Sequence, residues 1–414
     1  MTNRLGATES TTLASSLHGS RIGWDALDER YHPLLRLVDK LLGVVPNCDR
    51  YLEIWPPAFR AYNIMVPNLL NLPVPVMGVG GPPAGVVGLA MYVASRTAGC
   101  PYCSAHSCSF AMRRGASPAE VASALLPGEG SFDRGQLAAI TVARSLARVP
   151  RELTPEEKAD LVDVYGEQKA EWIVLAVVMM GFLNKFMDAL GVELEQSVVD
   201  EVADTMGAGW SPSHAGADLD PASPRRPAPP IDGWRTRLGL LPSLPGAIRY
   251  DRRIQRGMPS KARAIAAVLQ DSVGHDFPVL ATVRSNRARR AIASMLRENL
   301  DPATSVVGIE TKLRVAAVYA AAVDGAALTE DIQTLARHAG VDLDAAEAET
   351  AATALARAAS PSPARIDAAT IAACEQADLS GAAIVEVVAW LAVLQLLHRL
   401  SCWADPPART EPTL

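Results

Sequence analysis

A short segment of the sequence places two cysteines and a histidine at helical spacing. Cys100 and Cys103 are three residues apart, and His106 follows Cys103 by three more. Side chains three residues apart lie on one face of a helix, so these three can meet. Gly99 ends an apolar run and Pro101 suits the first position of a helix, which predicts a new helix with Cys100 near its N-cap.

This placement favours dithiol redox chemistry. A thiol is nucleophilic only as the thiolate, and the unpaired amides at a helix N-terminus lower a thiol pKa. We therefore expect Cys103 to have the lowest pKa of the six cysteines. Cys100 is close enough to form a disulfide with it, and His106 can accept or donate a proton near neutral pH.

Two other interpretations of the segment remain open. The cysteines could be packing residues of a buried helix, or Cys100, Cys103, His106 and Cys108 could bind zinc. One short helix cannot wrap four ligands around an ion, and no second Cys-x-x-Cys supplies the other half of a zinc site. We predict no metal and no other cofactor, because the chain also has no nicotinamide or flavin motif.

The composition predicts an all-α protein. Aromatic residues make up 5% of the 414 residues, Ala and Leu dominate, and no hairpin signal is present. The net charge of −6 gives the chain no overall attraction to nucleic acid or anionic lipid. The apolar stretches 172–183 and 387–397 are shorter than a membrane span of about 20 residues, so we predict core helices. Three of the six cysteines crowd into nine positions and residues 1–20 have no apolar segment typical of a secretory signal, so we expect a reducing, cytoplasmic location.

The distribution of apolar and proline-rich segments predicts two lobes. Six prolines between positions 207 and 233 mark an extended linker. The predicted parts are a mobile N-terminus (1–23), a redox lobe (24–206), the linker (207–233), a second helical lobe (234–403) and a tail (404–414). Short matches, such as 182–185 with 396–399, suggest that the lobes are a degenerate duplication.

Three segments of the first lobe resemble the AhpD-like, carboxymuconolactone decarboxylase family of helical proteins. They are residues 99–115 (GCPYCSAHSCSFAMRRG), 117–121 (SPAEV) and 182–192 (FLNKFMDALGV). The redox-active members are alkylhydroperoxidases, in which the second motif cysteine attacks the peroxide and the first resolves it. The resemblance therefore implies that Cys103 is peroxidatic and Cys100 resolving.

The chain departs from the family pattern at two positions. A glutamate usually stands where this chain has Gly88, and a histidine where it has Ser107, so His106 would have to replace that histidine. Ser107, Tyr102 and Glu171 are candidate supporting residues; Glu171 fits a family position, although a capping or surface role is the simpler interpretation.

The resemblance also implies partners and an assembly. The expected partners are a peroxide or other small substrate and an external thiol reductant, either thioredoxin-like, lipoyl or peroxiredoxin. A homo-oligomer is expected, as a trimer whose two-lobed chains form a pseudo-hexamer. The second lobe retains Glu310 but no dithiol, which suggests a packing role. The alternative functions are a non-catalytic helical oligomer with redox-sensing or structural cysteines, and a decarboxylase or lyase of the same family.

Overall fold

The computed structural model describes residues 12–72, 80–126, 131–207, 210–211, 231–344 and 349–406. Within these ranges the chain forms helices and no β-strand, which confirms the predicted all-α class. The helices of the first half are α1 (Leu13–Ser16), α2 (Trp24–Leu42), α3 (Cys48–Leu52), α4 (Pro56–Leu69), α5 (Ala84–Thr97), α6 (Pro101–Arg113), α7 (Pro118–Ser123), α8 (Arg134–Ala147), α9 (Pro155–Leu190) and α10 (Gln196–Met206).

The second half continues with shorter helices and ends on a long one. Its helices are α11 (Trp234–Leu240), α12 (Leu244–Ile254), α13 (Ala262–Val273), α14 (Asn286–Leu300), α15 (Gly308–Ala322), α16 (Ala326–Ala339), α17 (Ala351–Ala359), α18 (Ala368–Gln376) and α19 (Gly381–Ala404), with a 3₁₀ turn at Pro278–Thr282. The sequence predicts a helix over 343–359, but helix α17 begins only after Thr350, whose hydroxyl caps it.

Local capping signals fix where the helices of the first lobe begin. Cys100 is the N-cap of α6 and Pro101 its first residue, as the sequence predicts. Thr154 caps α9 and forms a capping box with Glu157. Gly166, at φ +71° and ψ 156°, interrupts α9, so its apolar C-terminal part forms a separate straight segment.

The same helix order and packing occur in both lobes. Helix α5 packs against α6, α8 and α9, and α15 packs in the same way against α16, α17 and α19. The turns before α6 and α16 both have left-handed backbone, at Gly99 (φ +73°) and Asp324 (φ +50°). Helix α4 packs on α14, and α9 packs on α19. The halves therefore meet through equivalent helices, which supports the predicted duplication.

Helices α9 and α19 form the centre of the molecule. By length and composition each could span a membrane, but 94% and 89% of their most apolar windows are buried inside the protein. They pack against each other, and Gly181 of α9 lies against Gln395 and Arg399 of α19. The sequence interpretation of both stretches as core helices agrees with this burial.

Two terminal regions of the predicted lobes differ from expectation. The sequence assigns residues 1–23 to a mobile N-terminus, yet Leu13 and Leu17 are buried in the core; residues 1–11 lie outside the described ranges. Helices α11 and α12, assigned to the second lobe, pack on α2 of the first. Most of the linker also lies outside the described residues, but Asp232 at its end donates its backbone N–H to Arg113 O at 2.9 Å.

Candidate active site

The dithiol lies at the first turn of α6. Both cysteines are free thiols and both are buried. The backbone N–H of Cys103 donates to Sγ of Cys100 at 3.3 Å, so the Cys100 sulfur lies against the backbone of Cys103. This first-turn amide therefore donates its hydrogen bond to Cys100, because Cys100 is the N-cap.

A buried carboxylate from another helix start organises the side chains beside the dithiol. Glu195, the N-cap of α10, accepts hydrogen bonds from Tyr102 Oη at 2.8 Å and from the backbone N–H of Asn47 at 2.5 Å. Its second oxygen lies 2.8 Å from His106 Nε2. Although burial raises the pKa of Glu195, His106 and the backbone N–H of Asn47 hold the pKa below its usual value. Glu195 thus fixes one ring nitrogen of His106.

An apolar cavity of about 380 Å³ opens beside these groups. Cys103, His106 and Ser107 line one part of its wall, together with Tyr102 and Cys48. Most of the remaining wall is apolar: Leu34, Leu37, Val38, Leu41, Leu42, Val66, Leu70, Met91, Phe110, Met179, Met180, Leu183, Met187, Leu240 and Leu244. Asn63, Asp251 and Arg287 add polar groups to it. The site can therefore receive an apolar molecule next to the Cys103 thiol.

Burial keeps the Cys103 thiol protonated near neutral pH. It raises the pKa of Cys103 well above its usual value, and Cys100, Cys48 and Asp188 add to the effect. The expectation that Cys103 has a lowered pKa is therefore wrong: desolvation outweighs the helix terminus, whose amide points at Cys100. A reaction of Cys103 needs a base, and His106 lies in the same cavity wall.

The sequence analysis missed three site residues that come from distant helices. Cys48 lines the same cavity as Tyr62 and Tyr102, and burial raises the pKa of its thiol as well. Next to it, Asp49 is completely buried, and burial together with Glu195 raises its pKa to about 8. No sequence signal links Cys48, Tyr62 or Glu195 to the dithiol, because each lies on a different helix.

The second lobe closes the other side of the dithiol. Lys185 Nζ donates to the carbonyl oxygens of Ala359, Ser360 and Pro361 at 2.7, 2.8 and 2.6 Å. Asp188 accepts from the backbone N–H of Ala364 at 2.6 Å. Burial lowers the pKa of Lys185 and raises that of Asp188. The segment 359–364 is thus held over the last turns of α9.

This segment also contacts the turn before the dithiol helix. A Cβ added to Gly99 would lie 2.9 Å from Cδ of Pro363, so the close approach and the positive φ both require glycine. Cys100 itself has no exposed surface. Access to the dithiol is therefore from the cavity, at Cys103.

The remaining predicted residues are placed as follows. Ser107 Oγ donates to Cys103 O at 2.6 Å, which engages its hydroxyl with the helix backbone. Glu171 is not at the site: it accepts from the backbone N–H groups of Arg284 and Ser285 at 2.7 and 2.8 Å, and so caps the start of α14. Glu310 is exposed and pairs with Arg314 at 3.0 Å, as a solvated helix residue does.

Gly88, where the family has its glutamate, allows two helices to approach closely. A Cβ on Gly88 would lie 2.5 Å from Cα of Ala111 in α6. A glutamate therefore cannot be accommodated there without moving α5 from α6. In this chain the buried carboxylate that contacts the site histidine is Glu195.

The described residues contain no group of three or more His, Cys, Asp or Glu side chains arranged to hold a metal ion. Cys108, the third thiol of the segment, is buried near Tyr92 and Arg96, and burial raises its pKa to about 12. It does not share the contact between Cys100 and Cys103.

No protein-family model matches the chain, and no curated protein matches it. Among solved structures, the chain is similar to the debrominase Bmp8 in its apo form, with 18% identity and a TM-score of 0.40. A cysteine-to-alanine variant of Bmp8 in complex with 2,3,4-tribromopyrrole matches with 17% identity and a TM-score of 0.39. Each match covers 49% of this chain and 100% of the Bmp8 chain.

Proposed function

We propose that this protein reduces an apolar hydroperoxide with the Cys103–Cys100 dithiol. The observation that supports the proposal is the position of Cys103 in the wall of an apolar cavity, with Sγ of the buried Cys100 3.3 Å from the Cys103 backbone nitrogen. A substrate in the cavity meets one thiol, and the second thiol is reached only through the first. This order suits attack by one cysteine and resolution by the other.

The reaction has two balanced steps. The Cys103 thiolate attacks the terminal peroxide oxygen, which gives a Cys103 sulfenic acid and releases the alcohol. The Cys100 thiol then attacks the sulfenic sulfur, forming the disulfide and releasing water. An external dithiol returns two electrons and two protons.

His106 would act as the base that the buried Cys103 thiol requires. Its Nε2 is engaged by Glu195, so its Nδ1 is the nitrogen for proton transfer. His106→Ala should slow peroxide-driven oxidation by about 10²–10⁴-fold, the usual contribution of a general base.

The covered position of Cys100 bears on the reductant. Because the segment 359–364 lies over one side and the cavity opens on the other, a dithiol on a flexible arm, such as a lipoyl group, suits the site better than the face of a globular thioredoxin. Steady-state rates of peroxide reduction, measured with dihydrolipoamide and with thioredoxin as the reductant, would compare the two.

Oxidation of the reduced protein by cumene hydroperoxide tests the proposal. Cys103→Ser should abolish the loss of thiols, and Cys100→Ser should leave a sulfenic acid that dimedone traps. Cys108→Ser is the matched control, since this buried thiol lies on the same helix outside the dithiol contact, and it should react like the parent. Peroxidase function would be contradicted if the Cys103→Ser protein loses thiols at the parental rate. It would also be contradicted if the parent forms the disulfide but no dithiol reduces it back to sustain turnover.

A further inference from the structure

The region after the linker carries an exposed apolar stripe. Trp234, Leu238 and Leu241 are 66%, 54% and 46% exposed, and their spacing of four and three residues places them on one face of α11 and its end. Ile248 of α12 is also 47% exposed. A group of exposed apolar side chains of this kind is typical of a surface that binds a membrane or another molecule.

The same region is strongly basic. Residues 233–258, here called the basic segment, contain six arginines, no lysine and one aspartate, although the whole chain has a net charge of −6. Five of the arginines are exposed: Arg235, Arg249, Arg252, Arg253 and Arg256. Arg235 and Arg237 stand on the two sides of the stripe of α11. A basic, amphipathic surface of this kind is typical of helices that lie in the interface of an anionic membrane.

The basic segment is also a wall of the cavity. Leu240, Leu244 and Ala247 line the cavity from the inner side of α11 and α12. Ile248 both lines the cavity and is half exposed, so it stands where the cavity reaches the surface. The apolar interior thus opens beside the exposed apolar stripe and its arginines.

We propose that the basic segment docks on an anionic lipid surface and that the cavity takes an apolar acyl substrate from it. Charge complementarity favours anionic lipid over a two-fold dimer through this surface, because such a dimer would bring the arginines around the two apolar stripes against each other. The substrate class rests on the proposed function, since a lipid hydroperoxide would then reach Cys103 through the cavity. Binding of the basic segment to lipid does not depend on any reaction of Cys103.

Co-sedimentation of the full chain with vesicles tests the docking. The protein should bind phosphatidylglycerol vesicles, bind phosphatidylcholine vesicles far less, and lose binding at high salt. Arg249→Ala with Arg252→Ala should weaken binding about 25-fold, since each arginine near the surface contributes about fivefold. Leu238→Ser should weaken it further, by removing buried apolar area from the interface.

The matched control replaces two exposed arginines elsewhere, Arg263→Ala with Arg337→Ala. Its binding should stay within about twofold of the parent. Equal losses in both double variants, or no binding of the parent to phosphatidylglycerol, would overturn the proposal. So would a change of oligomeric state in Leu238→Ser, which would show that the stripe is an interface between copies.

A second measurement separates docking from catalysis. Oxidation of Cys103 by a phospholipid hydroperoxide in phosphatidylglycerol vesicles should fall in the Arg249→Ala, Arg252→Ala protein, while oxidation by dissolved cumene hydroperoxide should not change. If vesicle binding is present but neither peroxide oxidises Cys103, docking stands and the proposed function fails. If the variant is oxidised by both peroxides at the same rates as the parent, delivery through the basic segment is refuted.

Discussion

Replacing Glu195 by glutamine tests how this carboxylate supports the site. It accepts from Tyr102 Oη at 2.8 Å and from the Asn47 amide at 2.5 Å, and it lies 2.8 Å from His106 Nε2. Glutamine has nearly the same shape, but one of its two terminal atoms is an NH₂ donor. That donor would face either the two groups that now donate, Tyr102 Oη and the Asn47 amide, or His106 Nε2. In the first case buried hydrogen bonds are lost, and in the second His106 must carry its proton on Nδ1 and can no longer act as the base.

The hydrogen bonds around Glu195 set the size of the effect. A hydrogen bond to a charged group contributes about 1.5–3 kcal/mol, and an unsatisfied buried donor costs about 1–3 kcal/mol. Glu195→Gln should therefore lower the free energy of unfolding by about 2–4 kcal/mol, allowing for partial relaxation. If the contact to His106 is the one that orients the base, the oxidation rate of Cys103 should fall about 10–100-fold.

The pH dependence of this effect has a definite sign. The pKa of Glu195 in the folded protein is below its ordinary value of 4.5. Its contribution to stability is therefore present above that pH and is lost as the pH falls through the folded pKa. The stability difference between the parent and Glu195→Gln should be full at pH 7 and should shrink below pH 4.5.

Urea unfolding and peroxide-driven thiol loss measure the two effects. Glu193→Gln is the matched control: it lies two residues away and accepts from Tyr51 Oη at 2.8 and 2.9 Å, whereas the contacts with Tyr102 and His106 belong to Glu195. This variant should oxidise at the parental rate. A folded Glu195→Gln protein that also oxidises at the parental rate, or equal slowing by Glu193→Gln, would refute the role given to Glu195.

Three further predictions follow from burial and close packing. The rate of Cys103 alkylation by iodoacetamide should rise about tenfold per pH unit between pH 7 and 9, because burial raises the pKa of this thiol above that range. Peptide mapping measures the rate, and an alkylation rate that stops rising below pH 8 would contradict the raised pKa. Gly88→Glu should destabilise the protein in thermal unfolding and should not speed the oxidation of Cys103, since its Cβ meets Cα of Ala111 at 2.5 Å; a stable variant that oxidises faster than the parent would refute the clash. Lys185→Met should cost about 3–5 kcal/mol in urea unfolding, because it strands buried carbonyl groups, and an unchanged midpoint would count against that contact.

The local chemistry of the sequence determined the helices and the start of the site. Periodicity and composition predict an all-α chain, and Gly99, Cys100 and Pro101 predict the N-terminus of α6. These features depend on neighbouring residues, because capping and helix propensity act within one or two turns. The spacing of Cys100, Cys103 and His106 therefore places them correctly on one helix without any knowledge of the rest of the chain.

Tertiary structure alone decided the electrostatics and the access of the site. Desolvation depends on what packs around a thiol, so the sequence predicts a lowered pKa for Cys103 where burial raises it. Glu195 reaches His106 from 89 positions along the chain, and Lys185 binds carbonyl groups about 175 positions away. Such contacts exist only after the helices pack, which is also why Glu171, a plausible site residue in the sequence, instead caps α14.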